Sequence, residues 1–149
     1  MPPTLILPPT FALIAAFTMA GLHRLLPLTE LVTAPWHWIA LAPAAAGLVL
    51  VFWAAAGFIR AGTPLEPYKE SLVLVTSGPY RFSRNPIYLG VALVLTGFWL
   101  WLGSLSPGLV LPCFVIAIER RFILREEAHL EERFGASFRA YRASVRRWL

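Results

Sequence analysis

The chain has 149 residues, of which 58% are apolar and 14% charged, against roughly 25% charged in a typical soluble domain. That excess of apolar side chains is more than a soluble protein of this size can bury, and lipid is the solvent it fits. The net charge of +5 flanks long apolar runs, as basic residues do at a cytoplasmic membrane surface, so nucleic acid is not expected as a partner. One cysteine, Cys113, excludes a disulfide within the chain. His23, His37 and His129 lack ligand spacing, so no metal site is expected.

Taken in order, the sequence predicts an all-α, polytopic membrane protein. It is a single domain of about four transmembrane helices, the last two forming a hairpin, with amphipathic helices at the C-terminus. Met1-Pro-Pro-Thr-Leu-Ile-Leu has no basic segment, which argues against a cleaved secretory signal. The first helix is expected over 9–26, with Pro8 and Pro9 at its start, where a missing N–H costs least. The second, over 36–59, carries no Asp, Glu, Lys or Arg and is about 36 Å long, enough to cross a bilayer. Trp36 and Trp38 fit an interfacial belt.

A polar, turn-rich loop follows over 60–86, with Arg60, Glu66, Lys69, Glu70, Arg81 and Arg84. From Ile87 to Ile118 no charge occurs, but one helix of that length would be about 48 Å long. Gly103-Ser104-Leu105-Ser106-Pro107-Gly108 breaks it into helices over 87–102 and 105–118. The tail, 119–149, keeps Phe122, Ile123, Leu130 and Phe134 at helical spacing, with Gly135 to close that helix. A last amphipathic segment carries Phe138, Tyr141, Val145 and Trp148 and suits the membrane interface. Of thirteen Lys and Arg residues, four lie in the 60–86 loop and eight in the tail. Four crossings place both segments on one side, which the positive-inside rule makes cytoplasmic. The two polar segments can therefore meet.

Two clusters carry chemistry. Tyr80, Arg81, Arg84, Asn85 and Tyr88 sit beside a helix start, with Asn85 as N-cap and Pro86 in the first turn. In the tail, Glu126 shares the apolar face of Phe122 and Leu130, so its carboxylate needs a partner; Glu127 lies one step round. Arg120, Arg121 and Arg125 are the arginines nearest in sequence.

Gly78-Pro-Tyr-Arg, then Arg84-Asn-Pro-x-Tyr88-x-Gly90, then Glu126-Glu127, Phe134-Gly135, Tyr141, Val145 and Arg147-Trp148, resembles the isoprenylcysteine carboxyl methyltransferase family. That family belongs to a wider group of membrane methyltransferases that includes phospholipid methyltransferases. Ala61-Gly62-Thr63-Pro64 is similar to bacterial members, which implies a bacterial inner membrane. The resemblance implies an S-adenosylmethionine-dependent methyltransferase whose small lipophilic acceptor (a carboxylate, thiol or amine) enters from the bilayer. No obligate protein partner is implied. Tyr80, Arg81, Arg84, Asn85, Pro86, Tyr88, Gly90, Glu126 and Glu127 would line the cofactor site, and Arg84, Glu127 and Tyr141 would be catalytic. The chain departs from the family in carrying Asn85 for His, Phe138 for Tyr and Arg146 for Pro. An Asn cannot titrate near neutral pH, so no charged imidazole is available there. Two other readings fit parts of the pattern: an NADPH-dependent enzyme like the sterol reductases, and a non-enzymatic membrane module.

Overall fold

The structure, a computed structural model, describes residues 8–62 and 73–149. Expectations for Met1-to-Leu7 and for Thr63, Pro64, Glu66, Lys69 and Glu70 lie outside the described residues. Regular structure is all-α, as expected: α1 (Pro8–Leu25), α2 (Leu41–Arg60), α3 (Pro86–Leu102), α4 (Val110–Ile118), α5 (Leu124–Phe134) and α6 (Ala136–Ser144). Pro8 and Pro9 open α1, and His23 and Arg24 occupy its last turn.

A 3-10 turn, Trp36–Ala40, runs straight into α2. Together they make a 25-residue apolar helix, and only 17% of its most apolar stretch is buried. Among the described residues this is the one helix that is membrane-length and apolar throughout; α3 is a shorter apolar helix of 17 residues. Of the about four transmembrane helices expected, the last two short ones in a hairpin, one is of membrane length and α3 is a shorter apolar helix. The physical reason lies in the Gly103–Leu109 break. Gly103 takes a left-handed φ of 79° that caps α3, a 3-10 turn occupies Ser106–Leu109, and nine residues remain for α4.

α2 and α3 cross closely because glycines remove side chains from the contact. A Cβ on Gly90 would stand 2.7 Å from Gly47 O and 2.7 Å from Val51 Cγ2. One on Gly97 would stand 2.7 Å from Ala40 O. α1 packs on α3 and α4 around Met19, Leu95, Phe114, Ile118 and Phe122. The outer faces of α1 and α2 stay apolar and bare, with Phe17 76% and Phe52 70% exposed.

The span expected to stop at residue 118 does not stop there. α4 continues through a π-turn, Glu119–Ile123, into α5 with helical dihedrals at both joints. Gly135, at a φ of 51°, then closes α5 as expected. The last predicted segment is corrected twice. α6 ends at Ser144, and Val145 is extended at φ −127°, ψ 133°, so Val145 and Trp148 leave the helical repeat. The apolar face of α6 does not look outward to an interface either: Phe138 and Tyr141 are buried against Ala54 and Tyr80.

Candidate functional site

Ser83, Arg84 and Asn85 form the lead-in to α3, and Pro86 occupies its first turn, where a missing N–H leaves no bond unmade. Asn85 stands at the N-cap position, but its side chain makes no cap bond. Its Nδ2 donates instead to Arg147 O at 3.1 Å. Ser83 Oγ accepts from Asn85 N at 3.1 Å and donates to Arg147 O at 3.2 Å. Arg84 N donates to Arg146 O at 3.0 Å. The C-terminal segment is thereby laid across the lead-in to α3, so the loop and the tail meet as their shared charge implied.

The Arg84 side chain is 9% exposed. Its Nη1 donates to the carbonyls of Arg142 and Val145, and its Nη2 to Glu127 Oε1 at 2.8 Å. Its Nε is buried with no partner. Glu127 is clasped from the other side: Arg147 Nε reaches Oε1 at 3.0 Å and Nη2 reaches Oε2 at 2.7 Å. Arg147 Nη1 also meets Glu119 Oε1 at 2.7 Å, and Trp148 Nε1 donates to Glu119 Oε2 at 3.0 Å. Glu119, Arg147, Glu127 and Arg84 thus alternate in sign along one chain of contacts. Burial works against the Glu127 carboxylate, but the bonds from Arg147 and Arg84 outweigh it and hold its pKa below the ordinary 4.5.

Glu126 behaves oppositely. Its Oε1 accepts from Tyr88 OH at 2.8 Å, the partner that its apolar face demanded. Burial, helped by the Glu127 charge, raises its pKa despite that bond. Tyr80 lies close enough for the charge of Glu126 to raise its own pKa, though burial is the larger cause. The Tyr80 hydroxyl is buried and has no partner, while its ring packs edge-on against Phe58 at 5.3 Å. Tyr141 OH donates to Tyr80 O at 2.7 Å, and burial pushes its pKa up to about 12 against the pull of Arg84.

The structure brings Tyr80, Arg84, Asn85, Pro86, Tyr88, Glu126, Glu127 and Tyr141 to one end of the bundle. Arg81 is exposed and takes no part in these contacts. Gly90 is closed off by the α2 backbone, so its absent side chain serves helix packing. Arg120, Arg121 and Arg125 are not the partners of the paired glutamates; Arg84 and Arg147 are. Arg147, Glu119 and Ser83 had no assigned role in the sequence reading. The signal for Arg147 was its place in the closing Arg-Trp motif, opposite two carboxylates in need of cations.

Among the described residues two buried side-chain atoms lack a partner, a donor at Arg84 Nε and a donor-acceptor at Tyr80 OH, and Glu126 adds a carboxylate held by Tyr88 through Oε1. Such a set complements a small zwitterion carrying both a carboxylate and an ammonium. Among the described residues no group of three His, Cys, Asp or Glu side chains could hold a metal ion.

A family model described as phospholipid methyltransferase matches residues 35–137. An uncharacterized protein of Haemophilus influenzae is 41% identical over 63 residues, which span 42% of this chain and all of that relative. No solved structure matches the chain.

Proposed function

The chain belongs to the phospholipid methyltransferase family, and on that premise we propose that it is an integral membrane methyltransferase that uses S-adenosylmethionine. The observation that carries the proposal is the pair of buried, unpartnered donors, Tyr80 OH and Arg84 Nε, with Glu126, whose charge acts on Tyr80, held by Tyr88 through Oε1. Arg84 Nε and Tyr80 OH would take the cofactor carboxylate, and Glu126 its ammonium. Tyr88 holds Glu126 in place from the other oxygen. Both oxygens of Glu127 are already taken by guanidinium groups, so its part is to hold Arg84 rather than to touch the cofactor. The Tyr141 hydroxyl steadies the backbone at Tyr80. When bound, the cofactor supplies a methyl group on a sulfonium, which a lipophilic acceptor attacks in line. Positioning and exclusion of water supply most of the rate in such a displacement.

The membrane reading is supported by the 25-residue apolar helix, little of which is buried, and by bare apolar faces such as Phe17 and Phe52. We place α1, α2, α3 and α4 in the bilayer as a polytopic bundle, with the loop before α3 and the tail at the cytoplasmic face. The lipophilic acceptor then arrives from the lipid side. The sterol-reductase-like reading gains nothing from the family match.

Calorimetry of S-adenosylhomocysteine binding to the detergent-purified protein tests the proposal. Wild type should bind saturably. Glu126→Gln and Tyr80→Phe should each weaken binding by about tenfold or more, the scale of one hydrogen bond to a charged group. Folded wild-type protein with no saturable binding would refute the reading.

A further inference from the structure

We propose that Arg147 is the positioning residue of the cofactor site: it fixes Arg84 from two sides at once and so aims the buried, unbonded Arg84 Nε at a ligand. The inference rests on the cofactor reading above and adds a residue to it.

The first side is electrostatic. Arg147 offers Nε and Nη2 to the two oxygens of Glu127, at 3.0 and 2.7 Å. This is the two-pronged geometry that fixes a carboxylate in orientation as well as in place. Glu127 so held presents Oε1 to Arg84 Nη2 at 2.8 Å. The third arm of Arg147, Nη1, is held by Glu119 at 2.7 Å, so the guanidinium itself has no freedom to swing.

The second side is the backbone. Arg147 O accepts from Ser83 Oγ at 3.2 Å and from Asn85 Nδ2 at 3.1 Å, the two residues flanking Arg84. The preceding carbonyl, Arg146 O, accepts from Arg84 N at 3.0 Å. The main chain and the side chain of Arg84 are therefore both set by the same short stretch of C-terminal segment. Nη1 is on two carbonyls and Nη2 on Glu127, whereas Nε is the buried nitrogen of this guanidinium that makes no bond. A donor so constrained can be aimed only if its neighbours do not move, and Arg147 holds three of them: Glu127 by its side chain, Ser83 and Asn85 by its carbonyl.

The test is made on the full chain in detergent, with Arg147→Met and Arg147→Lys, by two readouts. One is S-adenosylhomocysteine affinity. The other is the 15N-edited NMR signal of the Arg84 Nε–H, identified by its loss in Arg84→Lys. In wild type that signal should be protected from exchange and should shift on ligand addition. Arg147→Met should lose the protection while keeping its helical content, and its affinity should fall about a hundredfold, as when one partner of a buried pair is removed. Arg147→Lys keeps the charge without the fork, and its loss should be about tenfold. Should Met prevent folding, the Lys variant decides by the same two readouts. A protected Arg84 signal with wild-type affinity in the variants overturns the inference alone. Wild type that binds no ligand, while its Arg84 signal still depends on Arg147, overturns the cofactor reading and removes the site that Arg147 is proposed to set.

Discussion

The two ends of the helical bundle are held by different chemistry. At the end where α3 stops, backbone and neutral side chains do the work. Leu31 N and Val32 N both donate to Gly103 O, at 2.7 and 3.0 Å, and Leu105 N donates to Thr29 O at 2.9 Å. His23 Nδ1 shares a hydrogen bond with Ser104 Oγ at 2.8 Å, and Trp99 Nε1 donates to Ser104 O at 2.9 Å. At the end where α3 begins, four charged side chains alternate and tie together residues 20 to 43 positions apart. Among the described residues, the buried side-chain atoms that lack a partner are Tyr80 OH and Arg84 Nε, both at the charged end. A buried polar group without a partner is costly.

The sharpest way to break this contrast is Glu127→Ala. It leaves two guanidinium groups without their shared carboxylate, at a cost of about 3–5 kcal/mol in stability. A thermal midpoint within a degree of wild type would show that the charged end is not held as described. Next in size is the close crossing that joins the two ends. Gly90→Ala puts a Cβ where the α2 backbone stands and should cost about 1–3 kcal/mol by overpacking. It should leave the two ends' own chemistry intact, so ligand affinity per folded molecule should not change.

Acid should act on the charged end in two opposed steps. Glu126 has a raised pKa, so the folded protein takes up its proton first, and stability rises as pH falls through that value toward 4.5. Glu127 has a lowered pKa, so its stabilisation is present above 4.5 and is lost as pH falls below 4.5 through its folded value. Ligand-free thermal midpoints plotted against pH should therefore pass through a maximum on the acid side of neutrality. Glu126→Gln should remove the rise, and Glu127→Gln the fall; a flat profile in wild type contradicts both assignments. The smallest effect belongs to the neutral end. Ser104→Ala removes the bond to His23 and should cost about 1 kcal/mol, with S-adenosylhomocysteine affinity unchanged. A matching loss of affinity would mean that the two ends are coupled.

Much of the fold can be read from the chain because its punctuation is local. Pro8, Pro9, Gly103 and Gly135 act where they stand, by a missing N–H or a left-handed φ, and each marks a helix end as read. The unbroken run from Val110 to Phe134 is not legible in that way. At Glu119 the composition turns from apolar to charged, which resembles the end of a span, whereas the helix itself continues. In the site, the need of Glu126 for a partner follows from its apolar neighbours, and Tyr88 meets it. The partners of Glu127 do not follow from nearness in sequence: Arg125 is two residues away, yet Arg147, twenty residues on, makes the contact. Only the reversal of the chain at Gly135 and Val145 brings Arg147 back. Gly90 had two readings, helix or ligand approach, and the α2 backbone fills its space.

The π-turn at Glu119–Ile123 works as a frameshift in the helix. Upstream, one line of inward side chains descends Phe114, Ile118, Phe122; downstream, the buried positions are Ile123 and Glu127. The extra residue splits one stripe into two, so adjacent glutamates are dealt to different neighbours, one to Tyr88 and the other to the arginines. A chain that lost a single residue in this turn would carry Glu127 to the place of Glu126 and set Ala128 opposite the arginines; one that gained a residue would carry Glu126 to the place of Glu127.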